Sequence, residues 1–107
     1  MTQSVRAFYR GIKGRAELNL DWAPITIDSA VAITAAEWLA PADPGYVLAE
    51  QRPHLGDATI WVSNVGPHGG PNEPGGVEFA LQVDWGDPLD VMVTITVFDP
   101  VEQFIEL

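Results

Sequence analysis

Residues 77–98 read VEFALQVDWGDPLDVMVTITVF, and this stretch decides the fold class. Apolar side chains alternate with polar or small ones in 77–85 and again in 91–98, which is typical of β-strands with one buried face. Between the two runs, Gly86 and Pro88 supply turn chemistry. The stretch therefore predicts two strands joined as a β-hairpin.

Similar but shorter alternations occur in residues 16–22 and 58–62, and residues 5–9 are a candidate edge strand. Several short alternating runs separated by turns are typical of sandwiches and small barrels. We therefore predict an all-β domain in which two antiparallel sheets pack face to face as a β-sandwich. An immunoglobulin-like arrangement is the first choice among such folds.

One segment leaves two interpretations open. Residues 29–39 are rich in Ala, with Asp28 or Ser29 as a possible helix cap and Pro41 as a stop, which favours a short helix from Ser29 to Leu39. The same segment also shows β-branched residues at a period of two, which favours a strand.

Residues 66–76 contain five glycines and three prolines among eleven residues. Neither a ladder nor a helix is expected to persist through such a composition. We expect an exposed, mobile connection between two strands, and long loops of this kind are often functional.

The chain has 107 residues and no cysteine, so a single domain without disulfides or thiolate metal sites is expected. No apolar run approaches the ~18–20 residues that span a bilayer, and the N-terminus lacks the apolar region of a signal peptide. We therefore expect a cytoplasmic protein without a membrane partner.

Charge is distributed unevenly along the chain. Residues 1–15 carry four cations and no acid (+4), whereas residues 16–107 carry all fifteen acids and one arginine (−14). We accordingly divide the chain into a basic N-terminal arm or edge strand, residues 1–14, and a single β-sandwich domain, residues 15–107. An acidic body repels phosphates and four cations release few counterions, so no nucleic-acid partner is expected.

The pattern favours protein binding over catalysis. A basic segment with aromatic residues can reach over the acidic surface of a neighbour, where apolar anchors supply affinity and charge supplies orientation. Further large apolar side chains face outward in the predicted strands, where they form a platform for a partner or lie under a loop of the same chain. The predicted interface consists of Arg6, Phe8, Tyr9, Arg10, Lys13, Trp61, Met92 and Phe98.

We therefore expect a non-enzymatic structural or accessory subunit, without a cofactor, that assembles with itself or with a larger protein complex. Residues 101–107, set off by Pro100, are a candidate strand for pairing with the same chain or with a partner. No nucleophile-elbow or phosphate-loop pattern is present, and no catalytic residue is assigned.

Two alternative functions stay open. The first is a ligand-binding module of the carbohydrate-binding type that uses Trp61, with His68 in the Gly/Pro-rich stretch. The second is a small metal-binding protein or enzyme. Asp84, Asp87 and Asp90 recur at three-residue intervals around the predicted turn. They could gather on calcium, although calcium takes ~6–8 oxygen ligands and aspartate is frequent in turns for other reasons.

Overall fold

A computed structural model describes residues 1–107 and shows six antiparallel strands in two sheets of three. The strands are β1 (Gln3–Ile12), β2 (Gly14–Asp21), β3 (Ser29–Glu37), β4 (Thr59–Gly70), β5 (Glu73–Asp84) and β6 (Leu89–Pro100). The first sheet has the order β1-β6-β3 and the second sheet the order β2-β5-β4. The predicted all-β sandwich is confirmed, with fewer strands than an immunoglobulin domain has.

The core lies between the sheets and is formed by the inward faces of their central strands, β5 and β6. Alternate residues of these strands are at most 3% exposed, namely Val77, Phe79, Leu81 and Val83 from β5 and Val91, Val93, Ile95 and Val97 from β6. Burying one side chain of this size contributes about 1.5–3 kcal/mol. This double row is therefore the main hydrophobic contribution to stability.

The strands β5 and β6 do not pair with each other, so the hairpin predicted for residues 77–98 is wrong in its pairing. β5 pairs with β2 and β4, while β6 pairs with β1 and β3. Residues 85–88 carry the chain from one sheet to the other. Alternation specifies which face of a strand is buried. Two strands that face each other across a core show the same alternation as two hydrogen-bonded neighbours, so the pattern does not identify the pairing partner. The alternation of residues 77–85 predicts an inward position for Trp85 as well, but Trp85 lies in this connection and is 44% exposed.

Residues 29–37 form the strand β3, so the helical alternative for this segment is wrong. β3 pairs with β6 at one edge of the first sheet, and Val31 and Ile33 pack against the core. Ser29, the candidate helix cap, accepts a hydrogen bond at Oγ from the Thr26 backbone N–H (2.8 Å) and closes a turn instead. Ladder pairing and core packing thus override the helix propensity of the alanines.

Residues 66–76 continue β4 and β5 as a hairpin, so the prediction of a mobile connection is wrong. The glycines here allow close approach of the backbone. A Cβ atom added to Gly75 would overlap the carbonyl oxygen of Ile25. The Trp22 N–H donates to the Gly75 carbonyl oxygen (2.8 Å), so the segment before β3 is bonded to the hairpin. Composition alone does not separate flexibility from close approach.

Residues 3–12 form β1, an edge strand of the first sheet, and the chain then turns directly into β2 of the second sheet. Gly11 and Gly14 have φ angles of 67° and 66° at this corner, a conformation that favours glycine. β1 and β2 therefore flank the same side of the sandwich; they carry three of the four cations of residues 1–15, and Lys13 lies at the corner between them.

The connection between β3 and β4 contains a 3₁₀ turn at Leu48–Glu50. No helix in the structure is long and apolar enough to cross a membrane.

Candidate interaction surfaces

The connection of residues 38–58 covers one end of the outer face of the first sheet with an aromatic cluster. The Trp38 ring meets the Phe8 ring edge-on, with centroids 4.7 Å apart, and the Tyr46 ring at 5.9 Å. Trp38 and Met92, the cross-strand neighbour of Phe8, are each 2% exposed. The prediction of Met92 as an exposed interface residue is therefore wrong, because the chain covers this outward position itself.

Arg10 is held in the same cluster. Its guanidinium carbon lies 5.1 Å from the centroid of the Trp38 ring, in a cation–π contact, and its Nη2 donates to Tyr46 Oη (2.7 Å). Asp90 lies 3.7 Å from Arg10 and accepts a hydrogen bond from the Gly11 N–H (3.0 Å). Both Arg10, a predicted interface residue, and Asp90, a predicted metal ligand, thus fix the end of β1 against β6.

Tyr9 points into the sandwich. Its cross-strand neighbour is Val91, and its side chain packs against the core. Burial raises the pKa of the Tyr9 phenol, because desolvation disfavours the phenolate. The ring contributes to the packing of the monomer.

Arg6 borders a groove that we call the β1 groove. The groove has a volume of about 360 Å³ and is lined by Ser4, Val5, Arg6, Phe8, Leu48, Ala49 and Thr94. Arg6 Nε donates to Thr94 Oγ1 (2.9 Å). No acidic side chain lies within 4.0 Å of Arg6 or of Lys13. Among the four cations of residues 1–15, Arg6 and Lys13 are therefore the two that have no acidic partner in the chain.

We call residues 101–107 the C-terminal segment. The sandwich leaves the large apolar side chains of this segment uncovered. Phe104 is 75% exposed, Ile105 is 79% exposed, and Leu107 is fully exposed. The segment is anchored by the Val101 N–H, which donates to the Asp28 carbonyl oxygen (2.8 Å). Its remaining residues belong to no strand.

Two other exposed apolar side chains lie at the same end of the molecule. Ile27, next to the Asp28 anchor, is 72% exposed. Phe98, a predicted interface residue, is 43% exposed on the outward face of β6. With the C-terminal segment, they form an uncovered apolar region at this end.

Trp61 lies on the outer face of the second sheet, which also carries a polar groove that Trp61 does not line. It is 44% exposed and opposite Gln82, whose neighbour on the other side is Arg15. The groove has a volume of about 400 Å³ and is lined by Arg15, Glu17, Leu18, Asn19, Asn64, Glu78, Phe79 and Ala80. Asn64 has a φ angle of 54° in a bulge of β4. Bulges re-aim side chains, and this one interrupts the alternation from which faces are assigned in a sequence. Sequence reasoning therefore missed the groove.

His68 lies at the other end of β4, where both of its ring nitrogens contact other residues of the chain. Its Nε2 is 2.6 Å from Asn19 Oδ1 and its Nδ1 is 2.9 Å from the Pro74 carbonyl oxygen. Trp61 is seven positions away along β4, roughly 23 Å at the rise of a strand. The structure does not bring together the two residues predicted to bind a ligand.

The three predicted metal ligands serve different parts of the connection between the sheets. Asp84 ends β5, Asp87 lies in the turn, and Asp90 is bonded to β1. No group of three or more His, Cys, Asp or Glu side chains in the structure is arranged to hold a metal ion.

Comparisons of the chain with protein-family models, with curated proteins and with solved structures give no match.

Proposed function

We propose that this protein is a non-enzymatic structural or accessory subunit that assembles with further copies of itself or with a larger protein complex. The observation that carries the proposal is the exposure of the C-terminal segment. Phe104 and Ile105 are both at least 75% exposed.

Exposed clusters of large apolar side chains mark protein–protein contact sites, because covering them in a complex removes apolar area from water. Aromatic residues in particular are enriched in such interfaces. Ile27 and Phe98 extend the exposed region from the C-terminal segment onto the sandwich. An extended segment can also pair with the edge of a sheet in a partner.

Charge supports the same proposal by restricting how partners meet. The net charge of −10 keeps most surfaces of two copies apart. β1 carries Arg6 and Arg10 and no acid, so it is the strand that attracts an acidic neighbour. Complementary charge of this kind orients encounters and excludes wrong partners.

Light scattering during size exclusion tests the proposal. We expect the full chain to increase in mass with concentration, and the double variant Phe104→Ser/Ile105→Ser to remain monomeric. Leu55→Ser is the matched control, because Leu55 is 98% exposed but lies in a different loop. Identical mass for the full chain and the double variant at every concentration would contradict assembly of copies through this segment.

A second candidate function is a ligand-binding module of the carbohydrate-binding type. The observation that favours it is the exposed ring of Trp61 on the same sheet as a polar groove lined by Asn64 and Glu78, since binding sites combine apolar rings with a few polar groups. Titration with a panel of glycans, followed by tryptophan fluorescence, tests this function. A response lost in Trp61→Ala and kept in Trp85→Ala would support it; both rings are 44% exposed. No response in any of the proteins would contradict it.

A further inference from the structure

We infer that the C-terminal segment of one copy docks into the β1 groove of a second copy. This inference rests on the proposed function and names the partner of the exposed segment. Phe8, Leu48 and Ala49 give the β1 groove apolar lining, and Arg6 belongs to its polar lining; Val5 also borders the groove, although its side chain packs against the core. Its volume of about 360 Å³ is within the range of sites that enclose small ligands, ~300–1,000 Å³. It therefore has room for an aromatic or branched side chain.

The C-terminal segment has the matching chemistry. Phe104, Ile105 and Leu107 supply apolar side chains for the apolar lining, while Glu102 and Glu106 supply carboxylates. The segment contains no cation and β1 contains no acid, so their charges are opposite throughout.

Arg6 is the residue of the β1 groove that binds a carboxylate of the C-terminal segment in this docking. The chain contains fifteen acids and five Lys and Arg residues, yet no carboxylate lies within 4.0 Å of Arg6. Its Nε is fixed by Thr94, which orients the guanidinium at the groove and leaves its terminal nitrogens for a ligand. Guanidinium groups bind carboxylates through two parallel hydrogen bonds, which combine charge with geometric selection.

The segment of the same copy does not reach this groove. Its anchor at Asp28 immediately precedes β3, which lies at the opposite edge of the first sheet from β1. Arg6 pairs with Thr94, six positions before Pro100 along β6, which corresponds to about 20 Å. The six residues after Val101 span at most ~20–22 Å when fully extended. They would have to reverse direction and cross the sheet within that length, whereas a second copy can approach from any side.

Charge reversal in the complete chain tests the docking. We expect Arg6→Glu to weaken association at low salt by about tenfold or more, since a hydrogen-bonded ion pair becomes a repulsion. Arg52→Glu is the matched control, because it makes the same change in net charge on a cation outside the groove and without an acidic partner within 4.0 Å. The variant Glu102→Lys/Glu106→Lys should likewise fail to associate alone. A mixture of this variant with Arg6→Glu should associate, because the segment with reversed charges then meets a groove whose charge at position 6 is also reversed.

The outcomes separate the inference from the proposed function. Association in the mixture, with neither variant associating alone and all melting temperatures unchanged, supports docking between copies. Association that survives Arg6→Glu but is lost in Phe104→Ser/Ile105→Ser overturns the docking site and leaves the proposed function in place. A full chain that stays monomeric at every concentration overturns the docking together with self-assembly.

Discussion

The two ends of the outer face of the first sheet differ in how their apolar side chains are covered. At one end, Met92 lies beneath the chain's own 38–58 connection and is 2% exposed. At the other end of the same strand, Phe98 is 43% exposed, and the C-terminal segment beyond it is more exposed still. Both side chains occupy outward positions of β6. The alternation along the strand thus determines orientation, while a distant segment determines which outward side chain is buried and which stays exposed.

Removing the cover from the first end should give the largest effect. We expect Trp38→Ala to lower the free energy of unfolding by about 3–5 kcal/mol, because it removes a buried ring that contacts Phe8, Tyr46 and Arg10. Urea denaturation measures this change. Trp61→Ala is the control, since the same truncation at a ring that is 44% exposed should cost much less. Equal losses in the two variants would refute the distinction between covered and uncovered rings.

A second covered region is the Gly-rich hairpin of β4 and β5, and a smaller effect is expected there. Gly75→Ala should lower the free energy of unfolding by roughly 1–3 kcal/mol, because its Cβ would overlap the Ile25 carbonyl oxygen and force the backbone apart. Gly86→Ala, at a position with no atom within 4 Å, is the matched control and should be neutral or slightly stabilising. Thermal melting of both variants measures the difference. A neutral Gly75→Ala would show that the hairpin does not hold residues 22–28 closely.

The central strands β5 and β6 and the Gly-rich hairpin show which features of the fold the sequence predicts and which it does not. The period of two in residues 77–85 and 91–98 correctly identifies two strands and, apart from Trp85, their inward faces. It did not identify their partners, because facing strands and neighbouring strands bury the same residues. For residues 66–76 the composition suggested a loop, since the close approach to Ile25 that requires glycine comes from a segment more than forty positions earlier in the chain.

The interaction surfaces were predictable to a similar extent. The outward orientation of Trp61 and Phe98 follows from alternation, whereas the segment after Pro100, a candidate strand in the sequence, belongs to no strand of the structure. The β1 groove was not predictable, because Leu48 and Ala49 reach it from a connection without periodic pattern. The polar groove of the second sheet is lined in part by Asn64, whose positive φ angle the sequence does not specify.

Tyr9, on the covered side of the same sheet, provides a test that depends on pH. Burial raises the pKa of its phenol above the ordinary value of about 10. Between the unfolded and the folded pKa, the native state holds a proton that the unfolded state has lost, so stability falls as pH rises above about 10. We expect this fall to be smaller in Tyr9→Phe and retained in Tyr46→Phe, measured as melting temperature between about pH 8 and 11. The same alkaline loss in all three proteins would contradict a buried phenol at position 9.

The smallest expected change in stability belongs to the uncovered end, and it sharpens the comparison most. Phe104→Ser/Ile105→Ser should alter the free energy of unfolding of the monomer by less than about 0.5 kcal/mol, because side chains at least 75% exposed make little contact in the native state. Denaturation at low protein concentration measures this value. At high concentration, the unsubstituted chain should gain apparent stability from assembly and the double variant should not. A double variant that is destabilised even when dilute would show instead that the C-terminal segment packs on its own sandwich.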